Sequence, residues 1–302
     1  MAFAQGSRSG LSYMVESTFG TTPATPVFLS LPINSHSLSL IKEGIESDEI
    51  RPDRQIALLR HGNRKVQGDI AVDLRADDFD DFLESAFFGQ FTTAGVLKAG
   101  TTPQYFSIED RALDIAQYRL FTGCAVNTFS MSVNPNAIVK GTFGLIGKNM
   151  AQSGTSVDAT ITSSSTNEPF DSFTAVLTEG GGASAIVTSL DMTIDNSLQP
   201  TFVIGSSTTP QLEYGRAKVT GSMQLYYQDA TMLNKFLNET SSSLVIAVTD
   251  STTGNTYTFT MGTVKYTGGD VPLANEQSRI ITMPFHALYN ASDATTIKVV
   301  KS

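Results

Sequence analysis

Residues 65–74 read KVQGDIAVDL, and residues 218–227 read KVTGSMQLYY. Each opens Lys-Val-x-Gly and then alternates, the two-residue period by which a strand shows one apolar face. Lys65-Val66-Gln67-Gly68-Asp69-Ile70 aligns with Lys218-Val219-Thr220-Gly221-Ser222-Met223 at a spacing of 153 residues. A stretch of helical spacing follows each strand. In residues 77–87, Phe79, Phe82, Leu83 and Ala86 fall on one face; in residues 229–238, Met232, Leu233, Phe236 and Leu237 do. Phe79, Phe82 and Leu83 match Leu233, Phe236 and Leu237 at a spacing of 154. The acids of Asp77-Asp78-Phe79-Asp80-Asp81 suit a helix N-terminus, with Asp77 or Asp78 as the cap.

Two further matches flank these. Ser37-Leu38-Ser39-Leu40 corresponds to Ser189-Leu190-Asp191-Met192 at 152, and Ala137–Phe143 corresponds to Arg279–Phe285 at 142. Four matches in the same order predict an internal duplication of a unit of roughly 140 residues. The expected division is a first unit over 1–150, with an N-terminal arm and a long loop at 43–65. A Ser/Thr-rich linker, AQSGTSVDATITSSSTNEP (151–169), and a second unit over 170–302 follow.

Alternation recurs in SLSLIK (37–42), QYFSI (104–108), TFSMSV (128–133), TAVLTE (174–179), SLDMTI (189–194), LVIAVTD (244–250), TYTFTM (256–261) and SRIITMPFHALY (278–289). Turn residues separate them at Asn134-Pro135, Gly180-Gly181-Gly182, Thr253-Gly254-Asn255 and Gly268-Gly269. The expected fold is therefore mainly β: two tandem sandwich or barrel units, each with one flanking α-helix.

Composition narrows the function. Only 16% of the 302 residues are charged, and Ser, Thr, Gly and Asn take their place, which favours strands and turns. The net charge of −9 rules out a chain built to clamp phosphates. The single cysteine, Cys124, excludes an intrachain disulfide framework, and its apolar setting in YRLFTGCAV reads as an inert buried thiol. The N-terminal residues lack the apolar core of a signal peptide, and no window is apolar enough to span a membrane. The three histidines, His36, His61 and His286, stand in no nucleophile–base or metal-ligand spacing, and the glycines of EGGGAS lack a P-loop lysine. No catalytic residue, metal or cofactor is expected.

One stretch remains to be explained: SDEIRPDRQIALLRHGNRK (47–65), with five of the chain's twenty Lys and Arg. Ile50, Ile56, Ala57, Leu58 and Leu59 are mixed into it, and apolar groups among arginines are the composition of an interface. The corresponding segment of the second unit, NSLQPTFVIGSSTTPQLEYGR (196–216), is also long and carries Phe202, Val203 and Ile204. Both read as arms that meet another subunit.

Several segments resemble the major tail tube proteins of long, non-contractile-tailed (siphovirus-type) bacteriophages. They are SGLSYMVESTFGTTPATP (9–26), SDEIRPDRQIALLRHGNRKVQGDI (47–70), YRLFTGCAVNTFSMSV (118–133), KVTGSMQLYYQD (218–229), GNTYTFTMGTVKYTGGD (254–270) and FHALYN (285–290). The resemblance implies a structural virion protein whose sheets join those of neighbours into a ring around an inner barrel, with rings stacked into the tail tube that delivers DNA to the host. It places residues 47–65 as the stacking loop. Asp48, Glu49, Arg51, Asp53, Arg54, Ile56, Leu58, Leu59, Arg60 and Arg64, with Phe202, Val203 and Ile204, are then the expected inter-ring or inter-subunit contacts. If strands 66–74 and 218–227 line the barrel, Asp69 and Asp73 are lumen-facing candidates. Two tube units per chain imply trimeric rings of pseudo-six-fold symmetry. The implied partners are further copies of itself, the tape measure protein and phage DNA in the lumen, and tail terminator and tail-tip proteins at the ends, with no membrane. The implied location is the virion, after assembly in the host cytoplasm. The competing reading is a tail-tip, spike or adhesin-type sandwich that binds a host glycan or receptor; the absence of Trp counts against a sugar-stacking surface.

Overall fold

The computed structural model describes residues 3–183, 186–273, 276 and 278–302. It is mainly β with two short helices. In chain order the first part holds β1 (Ser9–Glu16), β2 (Leu29–Leu31), β3 (Ser35–His36), β4 (Ser39–Glu46), β5 (Leu59–Asp73), α1 (Asp80–Phe87), β6 (Val96–Lys98), β7 (Tyr105–Ala112), β8 (Gln117–Val133), β9 (Lys140–Gly147) and β10 (Asn149–Ser153). The second part holds β11 (Val176–Glu179), β12 (Gly182–Ala183), β13 (Val187–Asp195), β14 (Gln199–Pro200), β15 (Leu212–Glu213), β16 (Lys218–Tyr226), α2 (Thr231–Leu237), β17 (Ser242–Thr249), β18 (Thr256–Tyr266), β19 (Ile280–Ala287) and β20 (Lys298–Lys301).

One long antiparallel sheet runs through both parts. Its order is β4, β5, β9, β8, then β13, β16, β19 and the last residues of β18. The strand order of the first four is repeated by the second four. Each block continues into a second set of paired strands: β1, β7, β8 and β10 for the first, β11, β17, β18 and β20 for the second. Strands β8 and β18 take part in both the long sheet and these sets. Each leaves its hairpin partner at an irregularity, between Phe106 and Ile108 for β8 and between Ser242 and Leu244 for β18, and crosses into the long sheet.

Strict alternation explains why this sheet has one dry face. Across seven strands the register lines up Ile70, Phe143, Phe129, Ile194, Val219, Ala287 and Val264, all buried. The helices pack against this side. Phe82 of α1 stacks on Phe106 at 4.6 Å and lies 5.3 Å from Phe143. The Lys-Val-x-Gly motif has a steric cause in both strands. A Cβ at Gly68 would collide with the carbonyl of Ser37, and one at Gly221 with the carbonyl of Asp191 and the ring of Phe285.

The ladders pair topologically equivalent strands at spacings that differ from two of the sequence matches. Val66 faces Leu40 and Val219 faces Ile194, so the upstream strands correspond at 154 rather than 152. Val66 also faces Gly147 and Val219 faces Ala287, which gives 140 downstream rather than 142. A slip of two keeps the same residues facing the core, so alternation alone does not register it.

The helices also differ from expectation. The N-cap of α1 is Phe79, with no side-chain cap. Asp77 and Asp78 instead accept hydrogen bonds from Asn167 Nδ2 and Ser165 N, and Asp80 bonds Tyr257 and Lys301. In α2, Leu237 is exposed, while Met232, Leu233 and Phe236 pack against the core. The segment expected as a linker lies against the first part: Asp158 accepts from Phe28 N at 2.8 Å, Ser30 N donates to the carbonyl of Thr162, and Ser165 N donates to Asp78 at 2.7 Å.

The two parts interlock. Strand β8 pairs with β13, and β20 pairs with β6. The buried Asn196 amide donates to the carbonyls of Ala86 and Val126 at 2.9 and 3.1 Å. Among the described residues no helix is long and apolar enough to cross a membrane.

Candidate functional site: a polar sheet face and two open edges

The side of the long sheet away from the core carries polar residues in the same register. One row reads Ala71, Thr142, Ser130, Thr193, Thr220, His286 and Lys265, and the next reads Asp73, Lys140, Ser132, Asp191, Ser222 and Pro284. Asp69 heads a third row with Gly144, Thr128, Asp195 and Lys218. Both lumen-facing candidates, Asp69 and Asp73, are on this face. Asp69 is exposed, whereas Asp73 bonds Lys140 and accepts from Asn34 at 2.8 Å. Partial burial pushes the Asp73 carboxyl up, and the bonds from Lys140 and Asn34 outweigh it and hold it below the usual carboxylate range. Asp69, Asp73, Asp191 and Asp195 are matched on this face by Lys65, Lys140, Lys218 and Lys265. It is a hydroxyl-rich surface of balanced charge and no basic track.

Both ends of the sheet are open among the described residues. Strand β4 pairs only with β5, and β18 beyond Val264 pairs only with β19. Such edges template another strand unless they are covered.

The two long loops have different settings. Residues 47–58 project from the β4–β5 hairpin. Ile50 is 98% exposed, and Ile56, Leu58 and Leu59 are exposed as well. Asp48, Glu49, Arg54 and Arg60 are exposed too, and Arg51 and Asp53 pair with each other at 2.7 Å. Arg64 is half-buried, because the second loop lies beside it: Arg64 N donates to the carbonyl of Ser207 at 2.8 Å. Only the tip of that second loop projects, with Val203 and Ile204 exposed and Phe202 half-buried. Its stem packs Leu198 and Leu212 over Phe88, Ala125 and Ile146. Thus the first arm stands free and the second is folded onto its own chain.

One cluster had no signal in the sequence. His36 Nε2 lies 3.5 Å from Asp110, which pairs with Arg119 at 2.5 Å, in a cleft of about 640 Å³ lined by β3 and by residues of β1, β7 and β8. Burial pushes the Asp110 carboxyl up, but hydrogen bonds from His36 and Arg119 bring it below its ordinary range. These three residues lie 74 and 9 positions apart in sequence; Asp110 and Arg119 face each other across β7 and β8, and His36 reaches them from β3, which pairs with β5. His61 and His286 are exposed. Cys124 is buried, and burial pushes its thiol up, away from a reactive thiolate. Among the described residues no group of three His, Cys, Asp or Glu is placed to hold a metal ion.

Comparison with curated proteins gave no match. The family model described as phage tail tube protein matches residues 6–287, nearly the whole chain. With a mainly antiparallel β fold, a polar sheet face and open sheet edges already in place, that match settles the family: the chain is a member of the phage tail tube proteins, structural components of the virion.

Proposed function

We propose that the chain is an internal duplication of one tube unit and that three copies close into a ring whose stacked repeats form the tail tube. The observation that carries this is the β8–β13 ladder, from Thr128–Asp195 to Val133–Leu190. It fuses two four-strand blocks of the same order, and it leaves the chain with one free edge of each kind that it joins. Head-to-tail contacts between unlike edges close into a ring when the rotation fits. Six blocks at pseudo-six-fold positions need three chains.

In that ring the polar sheet face lines the lumen. Its hydroxyls and balanced charges offer phosphate no counterion-releasing track, so DNA and a tape measure protein slide past it. The projecting 47–58 loop stacks rings, through Arg51, Arg54 and Arg60 and the exposed Ile50, Ile56 and Leu58. Terminator and tail-tip proteins cap the ends, and the tail is of the long non-contractile type, as the quoted segments suggest.

Negative-stain microscopy of the purified chain tests this. Rings or tubes about 100 Å wide are expected from six units of ordinary domain size around a pore. Monodisperse monomers at high concentration under assembly conditions would overturn it.

A further inference from the structure

Two clefts in the molecule occupy matching places. One is lined by Ala175, Val176, the segment Val187–Leu190 and Ile246; the other by Ser9, Gly10, the segment Ile33–His36 and Asp110. The ladders set these residues in correspondence: His36 faces Ile70 as Leu190 faces Met223, and Gly10 and Val176 take the same place on β1 and β11. The clefts differ in what closes them. The first is walled by Val133, Asn134 and Pro135, which come across the β8–β13 joint, and only about 190 Å³ remains. The second has no such wall and measures about 640 Å³.

The missing wall has a counterpart in the chain. Val126 and Tyr266 face Leu145 and Phe285, and Ser130 and Asp270 face Thr142 and Thr282, so β8 and the β18 continuation correspond at 140 residues. Counted on at the same spacing, three residues past Asp270, Leu273 corresponds to Val133. Val133 sits opposite Leu190, whereas Leu273 is 79% exposed.

We infer that Leu273 of one copy seats in the open cleft of the next, opposite His36, and that the joint between copies repeats the in-chain joint in register. This rests on the ring assembly proposed above and specifies its lateral contact. Leu40 then faces Gly269 of the adjacent copy, and Ser39 faces Asp270. The chemistry of the two clefts fits their tasks. The permanent joint uses Leu190 and Ile246, while the open one uses His36 and Asp110 with Arg119 beside them. A polar edge stays soluble until it is filled, where an apolar one would aggregate. Among the described residues His36 Nδ1 has no hydrogen-bond partner.

The test is a cysteine pair, His36→Cys with Leu273→Cys, in chains assembled and then oxidised. Directly opposed strand residues fall within disulfide reach. Non-reducing electrophoresis should show covalent, closed trimers, and a Ser39→Cys, Leu273→Cys pair should give none. Tubes that form normally but stay uncrosslinked at 36/273, or that crosslink at 39/273, would overturn the register and leave the ring reading intact. Failure of the unsubstituted chain to assemble would instead remove the ring reading itself. In parallel, Leu273→Asp should abolish assembly at least tenfold in critical concentration while circular dichroism of the monomer is unchanged. Normal assembly of Leu273→Asp would also overturn the proposal.

Discussion

The phenol of Tyr257 donates a hydrogen bond to the carboxylate of Asp80, 177 residues away, and accepts one from Asp77 N at 2.8 Å. Lys301 adds its ammonium to both acids. A strand of the second part is thereby pinned to the start of the helix in the first. Burial, then the charge of Asp80, pushes the Tyr257 phenol up, so it stays a donor throughout the ordinary pH range.

Tyr257→Phe removes that donor and leaves Asp77 N and Asp80 short of a partner, at a cost of about 1–3 kcal/mol. Urea denaturation of the unassembled chain measures it, and a change below about 0.5 kcal/mol would mean the contact carries no stability.

Phe129 is fully buried at the centre of the long sheet, 4.9 Å from Phe143 and opposite Ile194. Phe129→Ala should cost about 3–5 kcal/mol, since the cavity opens between two parts that cannot collapse independently. A single cooperative transition should be kept. Two separated transitions in the variant would show that the parts melt apart.

Gly221 lies where any side chain would strike Phe285 and the backbone of Asp191. Gly221→Val should therefore destabilise the chain by about 1–3 kcal/mol in spite of valine's preference for strands. Equal or higher stability would refute the close approach.

The Asp110 carboxyl is held below its ordinary range by His36 and Arg119. Its folded-state pKa lies under its unfolded one, so its contribution is complete above the ordinary carboxylate pKa near 4 and is lost as pH falls through the folded value. Asp110→Asn should flatten the acid limb of stability below about pH 4. Thermal melts from pH 6 down to pH 2 would show it, and an unchanged acid limb would count against the pairing.

Reversing charge together at Arg51, Arg54 and Arg60 (each →Glu) should leave circular dichroism unchanged, because all three are exposed. Rings should still form while tube extension stops, seen by negative stain as isolated rings. Tubes of normal length would sink the stacking role of the loop.

Much of this architecture could be read along the chain. Alternation in residues 65–74 and 218–227 identified β5 and β16, and the spacing of Phe79, Phe82 and Leu83 identified α1, because the periods of strand and helix follow from backbone geometry. The short strands β2, β3, β14 and β15 carried no such period and were invisible. Asp77 and Asp78 were misread as caps, since a carboxylate's nearest donor in sequence need not be its nearest in space.

The sequence by itself determined which residues turn to the core and where the helices fall; of the arm it placed at 47–65, residues 47–58 project with Ile50, Arg51 and Arg54 at the surface, while 59–65 belong to β5. Local periodicity and composition are properties of a few consecutive residues, and they survive into the fold. Only the tertiary structure decided the register, 154 and 140 in place of 152 and 142, because a two-residue slip preserves every face and is fixed solely by cross-strand hydrogen bonds. It alone decided that β8 meets β13, that the second arm folds back on Arg64 while the first stands free, and that His36, Asp110 and Arg119 share a cleft. Those are contacts between distant residues, set by how the layers close, and no short stretch of the chain encodes them.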